Sequence, residues 1–345
     1  MKITRKNNFD LVRLLAALIV VIAHTADVSK YAVFETLSGT FNSRLAVDIF
    51  FVISGFLIIR SYENSSNLGV YLKKRMKRIL PAYAAVIIIT AVALSLISTV
   101  SFDKYFNLEF AKYIVFNLLT FNFLQPTLPG VFVTNDIQVV NLSLWTIKVE
   151  VMFYLLVPLI VYVLSKTNKI LTLGLIYLGS ILYSTALMQF GDRFFEPDTL
   201  IQLEQQLPGQ LAFFISGAFI YYFYDKFRDN ILFLLPIAAF VIAIHNFAAE
   251  IYLMYPLALA TMVIYFCLIF RYLGNFSQHG DFSYGIYIWH FPILQIFAHF
   301  RLFERPALAV PTMLLCIFFA SYASWNLIEK PFLARRSRSH ASSLS

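Results

Sequence analysis

Ten apolar runs, each near the length that crosses a lipid bilayer, follow one another along this 345-residue chain. They cover residues 8–28, 45–60, 79–100, 146–165, 170–189, 209–225, 231–247, 252–270, 283–300 and 307–328. Crossing the hydrocarbon takes about 20 mostly apolar residues. No water is available there, so a run of this length satisfies its backbone only by coiling into a helix. The chain is 59% hydrophobic and only 13% charged, which excludes an ordinary soluble domain. The expected fold class is all-α: a polytopic membrane protein with about ten transmembrane helices. His24 interrupts the first run, which also lacks a small-residue cleavage site, so that run is expected to stay as a span.

Positive charge sets the expected topology. The basic N-terminus MKITRKNN and the loop YLKKRMKR (71–78) should both face the cytoplasm. Between the third and fourth spans, 101–144 holds a further apolar segment, 110–124, and a polar loop rich in Pro, Gly and Asn. If 110–124 does not cross, Lys166, Lys169, Lys226, Arg228, Arg271, Arg335, Arg336 and Arg338 all fall inside. If it does cross, nearly all of them move outside. The first arrangement obeys the positive-inside rule, so 110–124 is expected to be a re-entrant or interfacial segment facing outward. Both termini are then cytoplasmic, with residues 1–333 as one transmembrane domain and 334–345 as a short basic tail. The net charge of +8 reads as topology, and no nucleic acid is expected. Cys267 and Cys316 lie in apolar runs and imply neither a disulfide nor a zinc framework.

Against this background the ionisable residues inside the runs are the informative ones. Arg13 and His24 are eleven residues apart on the first helix, three turns plus roughly 20°, so they share a face about 16 Å apart. Arg13 can be read as a snorkelling anchor, and His24 as a packed histidine bonded to a carbonyl. The alternative is a functional pair. Glu150, near the start of the fourth span, reaches a depth similar to that of His24. A carboxylate there could orient the imidazole, or could simply pair with Lys148. Arg75 and Arg78, spaced i, i+3, form one basic face suited to phosphate groups. The same loop can also touch anionic lipid headgroups. Asp48 needs a partner in the core, Arg13 among the candidates. Ser54-Gly55 reads as a close helix contact. There is no Gly-rich phosphate loop and no metal-ligand spacing such as His-x-x-x-His, so no metal is expected.

Taken together, these pieces resemble the acyltransferase-3 family of membrane O-acyltransferases. The resemblance rests on Arg13 with ten residues before His24, DIFFVISGF (48–56), Arg75-x-x-Arg78 followed by ILPAY, SLWTIKVE (143–150) with FYLLVP, and FSYGIYIWHFPIL (282–294). It runs over roughly residues 8 to 333. It implies transfer of an acyl group, usually acetyl, from cytoplasmic acyl-CoA to a hydroxyl of an extracytoplasmic glycan or lipid-linked sugar in a bacterial envelope. The protein would then sit in the inner (plasma) membrane among its lipids, using acetyl-CoA as donor substrate with no permanently bound cofactor. On this reading Arg13 and His24 act as the first-helix pair, with His24 as general base and Glu150 as its catalytic partner. Arg75 and Arg78 would hold the donor phosphates, with Arg13 also on the donor side, and His290, just before Pro292, would line the donor path. Trp145 and Asp48 would lie beside the acceptor. Two other readings remain open at this point, a secondary transporter or exporter and an assembly subunit whose buried charges pair helices.

Overall fold

The computed structural model describes residues 6–30, 34, 36, 42–278 and 280–334. Among these residues there is no strand, and all the regular structure is helical. The long helices are α1 (Phe9–Ser29), α2 (Ser43–Glu63), α3 (Leu68–Ala93), α4 (Leu108–Leu118), α5 (Trp145–Lys166), α6 (Lys169–Phe190), α7 (Leu207–Tyr222), α8 (Ile231–Phe247), α9 (Tyr255–Leu268), α10 (Ser283–His299) and α11 (Pro306–Ala323). Beyond α11 the chain makes a π-helical turn, Ser324–Glu329, and a last short helix, Lys330–Ala334. Six helices are long and apolar enough to cross a membrane: α1, α2, α3, α5, α6, and α11 with its extension. Each of the ten apolar runs forms a helix; the 110–124 segment begins inside α4. This is a membrane protein.

Local sequence explains several boundaries. Asn168 caps α6 by accepting from the Ile170 and Leu171 amides at 2.9 and 3.1 Å, and Asn107 caps α4 in the same way. After α4 the chain has no regular structure until Leu142, so its backbone groups need partners from elsewhere. Gly130 turns there in the left-handed region (φ +66), and its carbonyl accepts from the Thr99 amide at 2.9 Å.

The chain separates into two compact units, each assembled from distant segments. Unit 1 comprises residues up to Ala16, Arg44–Tyr71 and Val149–Asn275. Its core is apolar, with the Phe153 ring in contact with those of Phe51 and Phe214. There α2 and α7 meet backbone to backbone. A Cβ on Gly55 would lie 1.9 Å from the Phe214 carbonyl oxygen, and one on Gly217 would lie 2.0 Å from that of Val52. The close contact expected at Gly55 thus has a reciprocal glycine on α7, to which the sequence alone does not point.

Unit 2 comprises Ala17–Ser43, Leu72–Lys148 and the chain from Phe276 onward. Its spine is α10. At Gly285, α10 comes close to Ser321 of α11; a Cβ on that glycine would lie 3.0 Å from the Ser321 Cα. Three further side chains tie α10 to its neighbours. The Tyr284 hydroxyl donates to the Ile79 carbonyl at 3.1 Å, and the Tyr287 hydroxyl meets that of Thr146 at 2.7 Å. Gln295 is fully buried and donates to the Ile137 and Val139 carbonyls at 2.7 and 2.6 Å, while its own oxygen accepts from Asn135 at 2.9 Å. These amide contacts give the irregular segment 135–141 the backbone partners it lacks internally.

Candidate active site

Pro292 sits inside α10 and has no N–H to give the carbonyl of Ile288 four residues earlier. Asn141 supplies one: its Nδ2 donates to that oxygen at 2.9 Å. Its Oδ1 also accepts from the Ser143 amide at 3.1 Å, starting the turn that leads into α5. A helix-breaking residue therefore fixes where Ser143 stands. The Ser143 hydroxyl lies 3.4 Å from His290 Nε2.

His290 is fully buried, and its Nδ1 is 3.1 Å from the Ile286 carbonyl one turn back. Its Nε2 is 2.9 Å from Nδ1 of His24, which is only 8% exposed. The two rings are nearly parallel, at 16°, with centroids 5.2 Å apart. Phe291 packs edge-on against His24 at 5.2 Å and 89°, holding its ring plane. Among the described residues no other group hydrogen-bonds His24. Its Nδ1 thus meets an imidazole, where the sequence suggests the Glu150 carboxylate.

A second polar cluster joins Arg78, well inside α3, to the residues just before α10. Arg78 bonds Asp281 at 2.5 Å and faces Glu329 of the π-helical turn at 3.8 Å. Glu329 is 2% exposed and accepts from the Ser324 hydroxyl at 3.1 Å. The Arg78 charge is therefore met by two carboxylates that do not stand out in the sequence. Arg75 is half-buried one turn earlier on α3. From Ser283 to His290 is two helical turns, about 10 Å along the α10 axis.

The remaining expected residues fall as follows. Trp145 opens α5 and is half-buried in unit 2. Glu150 belongs to unit 1 and accepts the Tyr154 hydroxyl one turn on, at 2.5 Å. Lys148, the other partner considered for Glu150, has its ammonium over the Phe123 ring at 4.8 Å. Arg13, also in unit 1, pairs with Asp10 one turn earlier. Asp48 is buried in unit 1, where its charged neighbours are Arg44 and Glu204 in place of the suggested Arg13. Arg44 pairs directly with Glu204. The N-terminal residues 1–5 and the basic tail from 335 lie outside the described residues.

Comparison with known proteins gives this arrangement a context. The profile of an acyltransferase domain matches residues 6–328, running through the segments of both units. The chain belongs to this acyltransferase family. It is similar to the "O-acetyl transferase" of Shigella phage Sf6, with 26% identity covering 96% of this chain and 98% of the phage protein. It is also similar to "Nodulation protein 10" of Rhizobium leguminosarum bv. viciae, at 32% identity over 48% of this chain and 46% of that protein. No solved structure matches it. For an acyltransferase, a buried imidazole bonded through one nitrogen is a chemically apt centre, because its other nitrogen can take a proton.

Proposed function

We propose that this membrane acyltransferase moves an acetyl group from cytoplasmic acetyl-CoA to a hydroxyl of an extracytoplasmic glycan or lipid-linked sugar in a bacterial envelope, with His24 as general base. Residues 1–333 would act as one domain of ten spans in the inner membrane, with 110–124 re-entrant or interfacial and both termini cytoplasmic. The observation that carries the reading is the buried His24 ring, held by His290 through Nδ1. In a chain of this family, such a ring suits proton transfer at a hydroxyl.

The donor side follows from charge and reach. Under the proposed topology Arg75 and Arg78 lie in the cytoplasmic half of α3, where guanidinium groups suit the phosphates of CoA. Arg78 then serves both a phosphate and its two carboxylates. A pantetheine arm, roughly half a membrane in length, would carry the thioester inward toward His24. There His24 Nε2 takes the proton from the acceptor hydroxyl as its oxygen attacks the thioester carbonyl carbon. A C–O bond forms and the C–S bond breaks. The leaving thiolate recovers the proton from the imidazolium, giving free CoA thiol, the O-acetyl ester and neutral His24. Glu150, Trp145 and Asp48 are assigned to the acceptor side of this reading, and Arg13 to the donor side with Arg75 and Arg78.

The test uses purified full-length protein in nanodiscs, with acetyl-CoA as donor and detergent-extracted envelope glycan as acceptor. Wild type should bind acetyl-CoA and release CoA. His24→Ala should keep donor affinity and lose turnover by about 1,000-fold. Arg75→Ala/Arg78→Ala should lose donor affinity. A wild type with no affinity for acetyl-CoA or longer acyl-CoAs overturns the reading and sends the work to transport assays.

A further inference from the structure

Hydrogen-bond chemistry along α10 assigns the protons of the histidine pair. A carbonyl oxygen only accepts, so the 3.1 Å contact of His290 Nδ1 with the Ile286 carbonyl requires the proton on Nδ1. A neutral imidazole carries one N–H, which leaves a lone pair on His290 Nε2. That lone pair faces His24 Nδ1 at 2.9 Å, so Nδ1 of His24 carries the proton and donates it. The lone pair of His24 then lies on Nε2, the nitrogen with no hydrogen-bond partner among the described residues.

We infer that His290 is a positioning residue that fixes the tautomer and ring orientation of His24, making Nε2 of His24 the basic atom. This rests on the acyltransferase reading, in which His24 takes the acceptor proton. His290 cannot take that role itself, because it is fully buried and both its nitrogens are engaged. It does what the carboxylate does in an acid–histidine–nucleophile triad, without bringing a fixed charge into the hydrocarbon, where an ion is costly. When His24 gains a proton, its Nδ1–H···Nε2 bond becomes charge-assisted and roughly twice as strong. The help is therefore greatest in the charged state. Ser143, 3.4 Å from the same His290 nitrogen and held in turn by Asn141, steadies the acceptor end.

The inference differs from a donor-lining role for His290, and two variants separate them. His290→Leu removes the acceptor while keeping an apolar filling. His290→Gln keeps an amide whose NH2 can face the Ile286 carbonyl and whose oxygen can take the His24 proton. In nanodiscs with 15N-labelled histidine, the tautomer of His24 is read by solid-state NMR, its signal identified by loss in His24→Ala. Acetyl-CoA affinity and CoA release with the envelope glycan extract are measured beside it. The expected result for His290→Leu is loss of the Nδ1–H form of His24, at least about 100-fold slower release and unchanged acetyl-CoA affinity. His290→Gln should keep the Nδ1–H form and stay within about tenfold of wild-type turnover, the range expected if the bond is rebuilt.

A His290→Leu protein with the wild-type tautomer, or with weakened acetyl-CoA affinity and normal turnover of bound donor, overturns the inference and leaves the transferase reading standing. If His290→Leu does not fold, His290→Gln decides: folded protein with the Nε2–H form and full turnover overturns it equally. Failure of wild type to consume acetyl-CoA is a separate outcome. It removes the transferase reading, while the tautomer measurement still reports on the hydrogen bond.

Discussion

The two units show two ways of packing helices that cannot rely on a water-driven hydrophobic effect: close backbone approach at the α2–α7 contact of unit 1, and polar side chains along α10 of unit 2. Unit 1 brings α2 and α7 together by leaving side chains out: Gly55 and Gly217 let each backbone touch the other helix. Unit 2 organises around α10 by putting polar side chains in. Tyr284, Tyr287, His290 and Gln295 each bond a different partner, and the Ile288 carbonyl freed by Pro292 takes a fifth bond. Glycine contacts fix a distance and little else. Hydrogen bonds fix direction as well, and an imidazole that must present one chosen nitrogen needs direction. The polar unit is where the chemistry is expected, and the difference in packing gives a reason for it.

The comparison breaks most sharply at Gly55. A valine there puts a Cβ at a site 1.9 Å from the Phe214 carbonyl oxygen, which is backbone and cannot rotate away. The helices must part, at a cost of about 3 kcal/mol or more. Gly55→Val should leave little monodisperse protein on size-exclusion chromatography in mild detergent. Gly179→Val, on α6 of the same unit, meets nothing within 4 Å and should behave as wild type. Equal behaviour of the two variants would mean that close backbone approach does not hold unit 1 together.

The corresponding cut in unit 2 is smaller. Gln295→Leu keeps most of the volume but leaves the Ile137 and Val139 carbonyls and the Asn135 amide short of a partner. Destabilisation of about 2 kcal/mol is expected, since unpaired buried polar groups carry a desolvation penalty. A lowered thermal midpoint, together with faster proteolysis within 125–141, is the measurement. A drop in midpoint without altered cleavage would place the loss elsewhere on α10.

What can be read from the sequence follows the same division. The ten helices are legible because their apolar length is itself the signal, and Gly55 because a small residue beside Ser54 in an apolar run has few other uses. His24 and His290 are each legible as ionisable groups inside apolar runs. Their bond is not, because the residues are 266 apart and nothing local brings α1 to α10. For the same reason the sequence matches Glu150 to His24 by depth alone, because the facing direction of two separate helices is not visible in it. Asp281 and Glu329 pass as ordinary residues at span ends, although Arg78 draws on both. Pro292 does carry a usable sign, a carbonyl with no amide, and a nearby asparagine is the residue to look for.

The weakest expected effect lies back in unit 1, at the pair of Arg44 with Glu204. Arg44 is 56% exposed on its side chain, so water screens the attraction and the ordering of a long side chain opposes it. Glu204→Gln should therefore lower stability by no more than about 0.5 kcal/mol, with the difference fading in high salt. The Gln210 amide takes the Glu204 backbone carbonyl at 2.8 Å, and that bond survives the change. A clear loss that persists in high salt would assign the carboxylate a larger part in neutralising the region around buried Asp48. The α2–α7 contact would then lean on a charged pair beside it as well as on its glycines, and the contrast with α10 would narrow.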